Sequence, residues 1–254
     1  EICLENDFME YMKSWPDCND EENQYSDICL TSPPEVSSYY EHKSEGDLVI
    51  IEGALSPQEA FVVQSLGRCI RKLLPLDVPF YEKRAFGQET DYLASGNACT
   101  FLCGFLQLFA PGVDAQIMNI ASVAWLSELS GWGNDEDISF PDPRSLRIRT
   151  TEHLFYQTTS KLGVHTDNGS TYTILVSLSN PEDYGGGEFR LETNNVKFKP
   201  QKLTAVVFKS DDTFHAVESV TSGQRETFTT ELWPYLDAPA GFSRPGIKQF
   251  KNHL

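Results

Sequence analysis

The feature that most constrains this chain is a change of sequence grammar near residue 146. From there on, short runs rich in β-branched and aromatic residues recur at 146–150, 153–158, 171–179, 187–192, 195–199, 203–209, 214–220 and 225–233. Turn-forming pairs and triplets separate several of them: Asn180-Pro181, Gly185-Gly186-Gly187, Asn194-Asn195 and Ser222-Gly223. Runs this short, punctuated this often, read as strands of an antiparallel sandwich or barrel. The preceding segment reads differently. After a short β-rich run at 48–52, Ser56-Pro57-Gln58-Glu59 has the form of a helix start: an N-cap, a proline at the first helical position and a capping-box glutamate. Phe61, Val62, Leu66, Ile70 and Leu73 or Leu74 follow at helical spacing. Two more helices are predicted at about 97–109 and 113–129, the second with Ile117, Ile120, Ala121, Ala124, Trp125 and Leu129 along one stripe. Helices followed by about eight strands make an α+β chain.

Charge divides the chain a second time. Of the formal net charge of -17 over 254 residues, residues 1–50 hold 13 acids and 2 bases, a net of -11. This opening segment, with Pro16, Pro33-Pro34 and no sustained period, reads as an acidic solvated extension over 1–45. An acidic wall that recruits basic peptides is the sharper alternative. Nucleic acid and anionic membranes are excluded as partners, because both demand a basic face. Cys3, Cys18 and Cys29 lie in the extension, where a disulfide would be a sensible staple; Cys69, Cys99 and Cys103 read as buried small hydrophobes. The longest uncharged run, Tyr92 to Val113, is interrupted by Ser95, Asn97, Gln107 and Pro111 and reads as a buried helix rather than a membrane span.

Five histidines are present, and two sit in suggestive settings. His165-Thr166-Asp167 places an imidazole and a carboxylate at i and i+2, on one face of extended chain. His215 follows fifty residues later, far enough for a sandwich to return it beside the pair. Two histidines and a carboxylate on one face of an ion, with coordination sites left open, suit non-heme Fe(II) oxygenase chemistry. Ten residues on, Arg225 and Thr227 share a strand face and offer a guanidinium fork and a hydroxyl to a carboxylate. Tyr156, nine residues before His165, is a further donor; core packing is its alternative reading, as it is for Trp233. Arg147 and Arg149 share one strand face, as sheet-edge charges or as the lining of a substrate groove. Asp211 and Asp212 read as solvated loop acids, His153 as structural, His42 and His253 as exposed.

In this order, HxD, then Gly-Gly-Gly-Glu-Phe at 185–189, then His215, Arg225 and Trp233, the chain resembles the Fe(II)- and 2-oxoglutarate-dependent oxygenases, and within them the prolyl 4-hydroxylase-like branch. The resemblance covers about 146–233. It implies a double-stranded β-helix, or jelly-roll, with the N-terminal helices packed on one sheet. It implies Fe(II) bound by His165, Asp167 and His215, and 2-oxoglutarate held at its distal carboxylate by Arg225 with Tyr156 and Thr227 as helpers. Many prolyl 4-hydroxylases carry lysine where this chain has Arg225, which weakens the substrate assignment and not the co-substrate one. The implied reaction is hydroxylation of a C–H bond, with succinate and CO2 as co-products and ascorbate as a supporting reductant. The histidines ligate only when neutral, so activity is expected to fall at acid pH.

The resulting layout is an extension over 1–45 and one oxygenase domain over 46–254: a helical buttress to 145, the jelly-roll over 146–235 and a tail over 236–254. The substrate implied is a peptidyl prolyl or similar side chain in a peptide or protein; a small metabolite is the alternative within the class, and a non-enzymatic jelly-roll binding module the alternative outside it. The N-terminal cysteines are compatible with the endoplasmic reticulum or secretory pathway. The sequon Asn168-Gly169-Ser170 follows Asp167 directly, so a glycan there would crowd the site and Asn168 is expected to be unmodified.

Overall fold

A computed structural model describes residues 48–73, 97–102, 105–106, 110–129, 142–192 and 196–234. The acidic extension, Cys103, His42, His253 and the 236–254 tail lie outside the described residues. The elements in chain order are β1 (Leu48–Ile51), α1 (Pro57–Leu73), β2 (Ala98–Phe101), α2 (Pro111–Leu129), β3 (Leu146–Tyr156), β4 (Leu162–His165), β5 (Tyr172–Ser177), β6 (Tyr184–Gly186), β7 (Phe189–Leu191), β8 (Lys197–Phe198), β9 (Ala205–Lys209), β10 (His215–Val217), β11 (Val220–Gly223) and β12 (Arg225–Pro234). A six-stranded sheet runs β1-β9-β5-β12-β3-β2 and a four-stranded sheet runs β4-β10-β7-β8, with β11 and β6 paired beside them. All the pairings are antiparallel. The architecture is the jelly-roll of the α+β reading.

Period-two patterning builds two apolar layers on the large sheet. Ile174 and Val176 of β5, Val207 of β9 and Phe228 of β12 point outward into a core shared with α1 and α2. Leu175, Val206 and Phe208 point the other way and meet Phe189 and Leu191 of the small sheet. The strands of the large sheet are therefore buried on both faces, which is why β5 reads as a continuous apolar run rather than an alternating one. The start of α1 has the predicted capping box: the Glu59 carboxylate accepts from the Ser56 backbone N–H at 2.7 Å, and the Ser56 hydroxyl accepts from the Glu59 N–H at 3.2 Å.

Three sequence expectations are corrected. The helix expected at 97–109 gives way to a strand, Ala98–Phe101, paired with β3 from Ala98↔Phe155 to Phe101↔Glu152; among the described residues of that stretch only Phe105 and Leu106 are helical. Cys99-Thr100-Phe101 has β-favouring side chains, and β3 offers an edge for them to pair with, so tertiary pairing overrides a short apolar run. Cys99 is accordingly half-buried on a strand, while Cys69 is fully buried in α1. The break expected between 150 and 153 is absent, because Leu146–Tyr156 is one strand of 11 residues against β12. A strand not expected at all, β4, stands at Leu162–His165, where Gly163 interrupts any strand-like pattern. The second helix stands at Pro111–Leu129, with Ile117, Ile120, Ala121 and Ala124 buried. No helix among the described residues is long and apolar enough to cross a membrane.

Candidate metal and co-substrate site

Strands β4 and β10 pair so that His165 lies directly opposite His215. Asp167, two residues past the end of β4, is held by its own backbone N–H to Ser210 O at 3.0 Å. The result is a cluster in which one ligand atom from each of His165, Asp167 and His215 lies within 4.8 Å of the others. His165 Nε2 is 3.6 Å from Asp167 Oδ1, and His215 Nε2 is 3.8 Å from Asp167 Oδ2.

Both imidazoles are oriented in the same way. His165 Nδ1 lies 2.8 Å from Gly163 O and His215 Nδ1 lies 3.0 Å from Thr213 O, in each case the carbonyl two residues earlier. A carbonyl only accepts, so each Nδ1 carries the proton and each Nε2 presents its lone pair to the cluster. Burial, and then the neighbouring His165, push the His215 pKa down to about 3, against the Thr213 carbonyl. Neutral imidazoles are the ligating form. Asp167 is oriented in turn: Thr173 Oγ1 of β5 donates to its Oδ2 at 2.5 Å, and Ser210 Oγ lies 2.9 Å from the same hydroxyl. The donor set fits a divalent metal with open positions.

The loop that carries Asp167 is pinned from both sides. Gly169 N–H donates to Asp211 Oδ1 at 2.7 Å, so Asp211 is a loop anchor rather than a merely solvated acid. Arg149 Nη1 donates to Asn168 O at 2.8 Å, to Ser170 Oγ at 2.5 Å and to Glu231 Oε2 at 3.0 Å, and its guanidinium lies 5.1 Å from the Trp233 ring centre. The Arg149 side chain is 5% exposed. Arg149 is thus neither a sheet-edge charge nor a groove lining; it clamps the metal-site loop. Arg147 is exposed and donates to Leu146 O at 2.7 Å.

Arg225 opens β12, and its register partner on β3 is Tyr156. Alternation puts Arg225, Thr227, Thr229 and Glu231 on the inner face of the sheet. A cavity runs between Tyr156 and the His165/Asp167/His215 cluster and on to Thr229 and Glu231, with Leu175, Phe208 and Val217 in its walls. Arg225 is 1% exposed, yet its Nε, Nη1 and Nη2 make no hydrogen bond of good geometry among the described residues. The buried hydroxyls of Tyr156 and Tyr184 stand beside the guanidinium, and, like that of Thr227, make no hydrogen bond of good geometry among the described residues. The guanidinium lies 4.9 Å from the centre of the Tyr156 ring. An uncompensated buried charge costs several kcal/mol, so a guanidinium ringed by unengaged hydroxyls is a receptor that fits an anion. Burial raises the pKa of both tyrosines, while the Arg225 charge pulls each one back; both stay protonated and able to donate.

Tyr184 was not singled out by the sequence. It comes from β6, and Gly187 brings it close: a Cβ on Gly187 would stand 3.0 Å from Tyr184 Cε2 and 3.2 Å from Arg225 Cδ, and the backbone there has a φ of +68°. The signal was the glycine run, read as a hinge. Its residues Gly185 and Gly186 are instead paired with β11, and Gly187 leaves room for the tyrosine and arginine to meet.

Residues 151–233 match the family model described as the 2OG-Fe(II) oxygenase superfamily. No curated protein matches the chain. Among solved structures, a prolyl hydroxylase from Trichoplax adhaerens in complex with a hypoxia inducible factor peptide fragment is similar in fold, with a TM-score of 0.51, 17% identity and coverage of 76% of this chain and 86% of that one. The viral collagen prolyl hydroxylase of Paramecium Bursaria Chlorella virus-1 aligns at a TM-score of 0.46 and 22% identity over 73% of this chain and 94% of that one. A Pseudomonas putida prolyl-4-hydroxylase aligns at 0.49 and 16% over 73% and 92%.

Proposed function

We propose, from the premise that residues 151–233 form a 2OG-Fe(II) oxygenase domain, that this chain is a prolyl 4-hydroxylase-like enzyme that hydroxylates a peptidyl prolyl or similar side chain. The observation that carries the co-substrate half of the reading is Arg225, fully buried on the inner face of β12 with no good-geometry hydrogen bond to its three nitrogens among the described residues. The choice of a peptidyl substrate rests on the sequence resemblance; the Trichoplax protein of the same fold is a prolyl hydroxylase solved with a peptide.

In this reading His165 and His215 present neutral Nε2 atoms, and Asp167 supplies a negative charge that holds a ferrous ion. Thr173 keeps the carboxylate aimed, and Arg149 and Asp211 hold its loop. Arg225 receives the distal carboxylate of 2-oxoglutarate in a charge-assisted fork, with Tyr156, Tyr184 and Thr227 donating around it. When bound, Fe(II) and 2-oxoglutarate supply the oxidising chemistry: O2 gives one oxygen atom to succinate as CO2 leaves, and the other to the substrate carbon. Leu175, Phe208 and Val217 give the intervening space an apolar wall beside the polar Glu152, Thr229 and Glu231.

The test supplies Fe(II), ascorbate and 2-oxoglutarate together with proline-rich peptides. The expected result is a gain of one oxygen on proline with an equal yield of succinate. Turnover of a small molecule with no oxidation of any proline peptide would sink the prolyl assignment and leave the class standing. A chain in which His165→Ala leaves Fe(II) binding unchanged would sink the ligand assignment.

A further inference from the structure

The outer face of β12 carries a second buried charge directly beside the first. Glu226 follows Arg225, so its side chain points away from the cavity, toward α1. Unlike Arg225 it is fully engaged. Arg68 of α1 grips it with Nε at 3.0 Å and Nη2 at 2.6 Å from Oε1, His153 Nε2 lies 2.8 Å from Oε2, and Gln64 Nε2 lies 3.5 Å from Oε2 while also donating to Leu178 O at 3.2 Å. The backbone is tied at the same residue: Glu226 N–H donates to Ser179 Oγ at 2.8 Å, and Leu178 N–H donates to Glu226 O at 3.0 Å. His153 is 0% exposed and lies under Gly67 of α1, where a Cβ would come within 2.3 Å of the imidazole. The helix can approach this closely only because residue 67 is glycine.

We propose that Glu226, gripped by Arg68, Gln64 and His153, is a positioning residue for the co-substrate receptor: it sets from the outer face of β12 the direction in which Arg225 enters the cavity. The reason is asymmetric. Among the described residues no hydrogen bond of good geometry orients the Arg225 guanidinium on the inner face, where the Tyr156 and Tyr184 hydroxyls stand beside it without locking it. Its direction is inherited from the backbone at 225–226, and that backbone is fixed from behind. Moving a substrate-positioning group by about 1 Å can cost on the order of 100-fold, even when the change that moves it lies far from the chemistry. The inference rests on Arg225 being the 2-oxoglutarate receptor.

Electrostatics and positioning predict opposite signs, which makes the test sharp. Glu226 is a negative charge beside an anion receptor, so its removal by charge alone would strengthen 2-oxoglutarate binding. Positioning predicts weaker binding. The measurement is calorimetric titration of 2-oxoglutarate into the Mn(II)-loaded chain, with Mn(II) affinity and thermal midpoint measured on the same samples. Glu226→Gln and Arg68→Met are each expected to weaken 2-oxoglutarate about tenfold while Mn(II) affinity stays within about twofold. Arg68→Lys is expected to recover part of that affinity. Ile120→Ala, a cavity under α2 rather than under the clamp helix, is expected to lower the thermal midpoint and leave 2-oxoglutarate affinity alone.

Unchanged or tighter 2-oxoglutarate binding in Glu226→Gln overturns the proposal, as does an equal weakening in Ile120→Ala. If Glu226→Gln does not fold, Arg68→Lys decides, since it keeps the positive charge and loses the two-nitrogen grip on the carboxylate: affinity below that of the unaltered chain upholds the positioning role, and equal affinity overturns it. Arg225→Ala separates the two levels: unchanged 2-oxoglutarate affinity there sinks the receptor reading itself, whereas weaker binding there with none in the clamp variants sinks only the positioning role.

Discussion

The two faces of β12 hold neighbouring buried charges in opposite conditions. Arg225 on the inner face is 1% exposed and makes no hydrogen bond of good geometry among the described residues; Glu226 on the outer face is 2% exposed and is bonded by Arg68, His153 and Gln64. Burial is equal, so burial alone does not distinguish a ligand receptor from a structural element. Satisfaction does. A buried charge whose hydrogen bonds are complete belongs to the fold, and one whose hydrogen bonds are open is provided for something else.

The comparison can be broken most severely at the outer face. Glu226→Ala leaves Arg68, Gln64 and the buried His153 imidazole without their shared acceptor, and is expected to lower unfolding free energy by about 1–3 kcal/mol in urea titration. A decrease below about 1 kcal/mol would show that the clamp is not structural. Acid probes the same group without mutation. Hydrogen bonds from His153 and Arg68 hold the Glu226 pKa down to about 2, against burial, from an ordinary value of 4.5. Its stabilisation is therefore complete above pH 4.5 and lost as pH falls toward 2, amounting to roughly 3 kcal/mol. Burial depresses His153 below its ordinary 6.5, despite Glu226, so the unfolded chain takes up that proton first and stability begins to fall below about pH 6.5. Both groups thus give lower stability in acid. A stability profile flat from about pH 7 to 3 would contradict both.

The inner face is expected to behave in the opposite way. Arg225→Met should weaken 2-oxoglutarate by about 100-fold while the thermal midpoint holds or rises, because an uncompensated buried charge is removed. A large fall in midpoint would mean that Arg225 is structural after all. Thr173→Val removes the hydroxyl that aims Asp167, and is expected to weaken Fe(II) or Mn(II) by about 10- to 100-fold, measured by metal titration. Tyr184→Phe deletes one of several donors around Arg225; the expected decrease in 2-oxoglutarate affinity is several-fold, about 1 kcal/mol. No change there would remove Tyr184 from the receptor.

Much of the site was legible in sequence because its chemistry is carried by rare residue types in ordered spacing. His165 and His215 stood out among five histidines, Asp167 came with His165 at i+2, strand alternation linked Thr227 to Arg225, and Tyr156 was read as a further donor nine residues before His165. The parts that were not legible share one cause: they depend on contacts between residues far apart in the chain. Arg149 looked like an edge charge because nothing local shows that Asn168, Ser170 and Glu231 close around it. Tyr184 was hidden behind a glycine run whose close packing appears only when β6 meets β11. The segment at 98–101 carried a short apolar run compatible with either element, and the open edge of β3 decided it.

The sequence by itself determined the period-two strands that make the jelly-roll, the α1 start at Ser56, and which three side chains meet in a cluster that could hold a metal. These follow from local periodicity, capping and donor type. The tertiary structure alone decided which buried charges are satisfied. Arg225 and Glu226 are adjacent letters of similar polarity, and only the packing of α1, β3 and β6 around β12 leaves one open and closes the other. Hydrogen-bond satisfaction is a property of three-dimensional surroundings, and no local pattern encodes it.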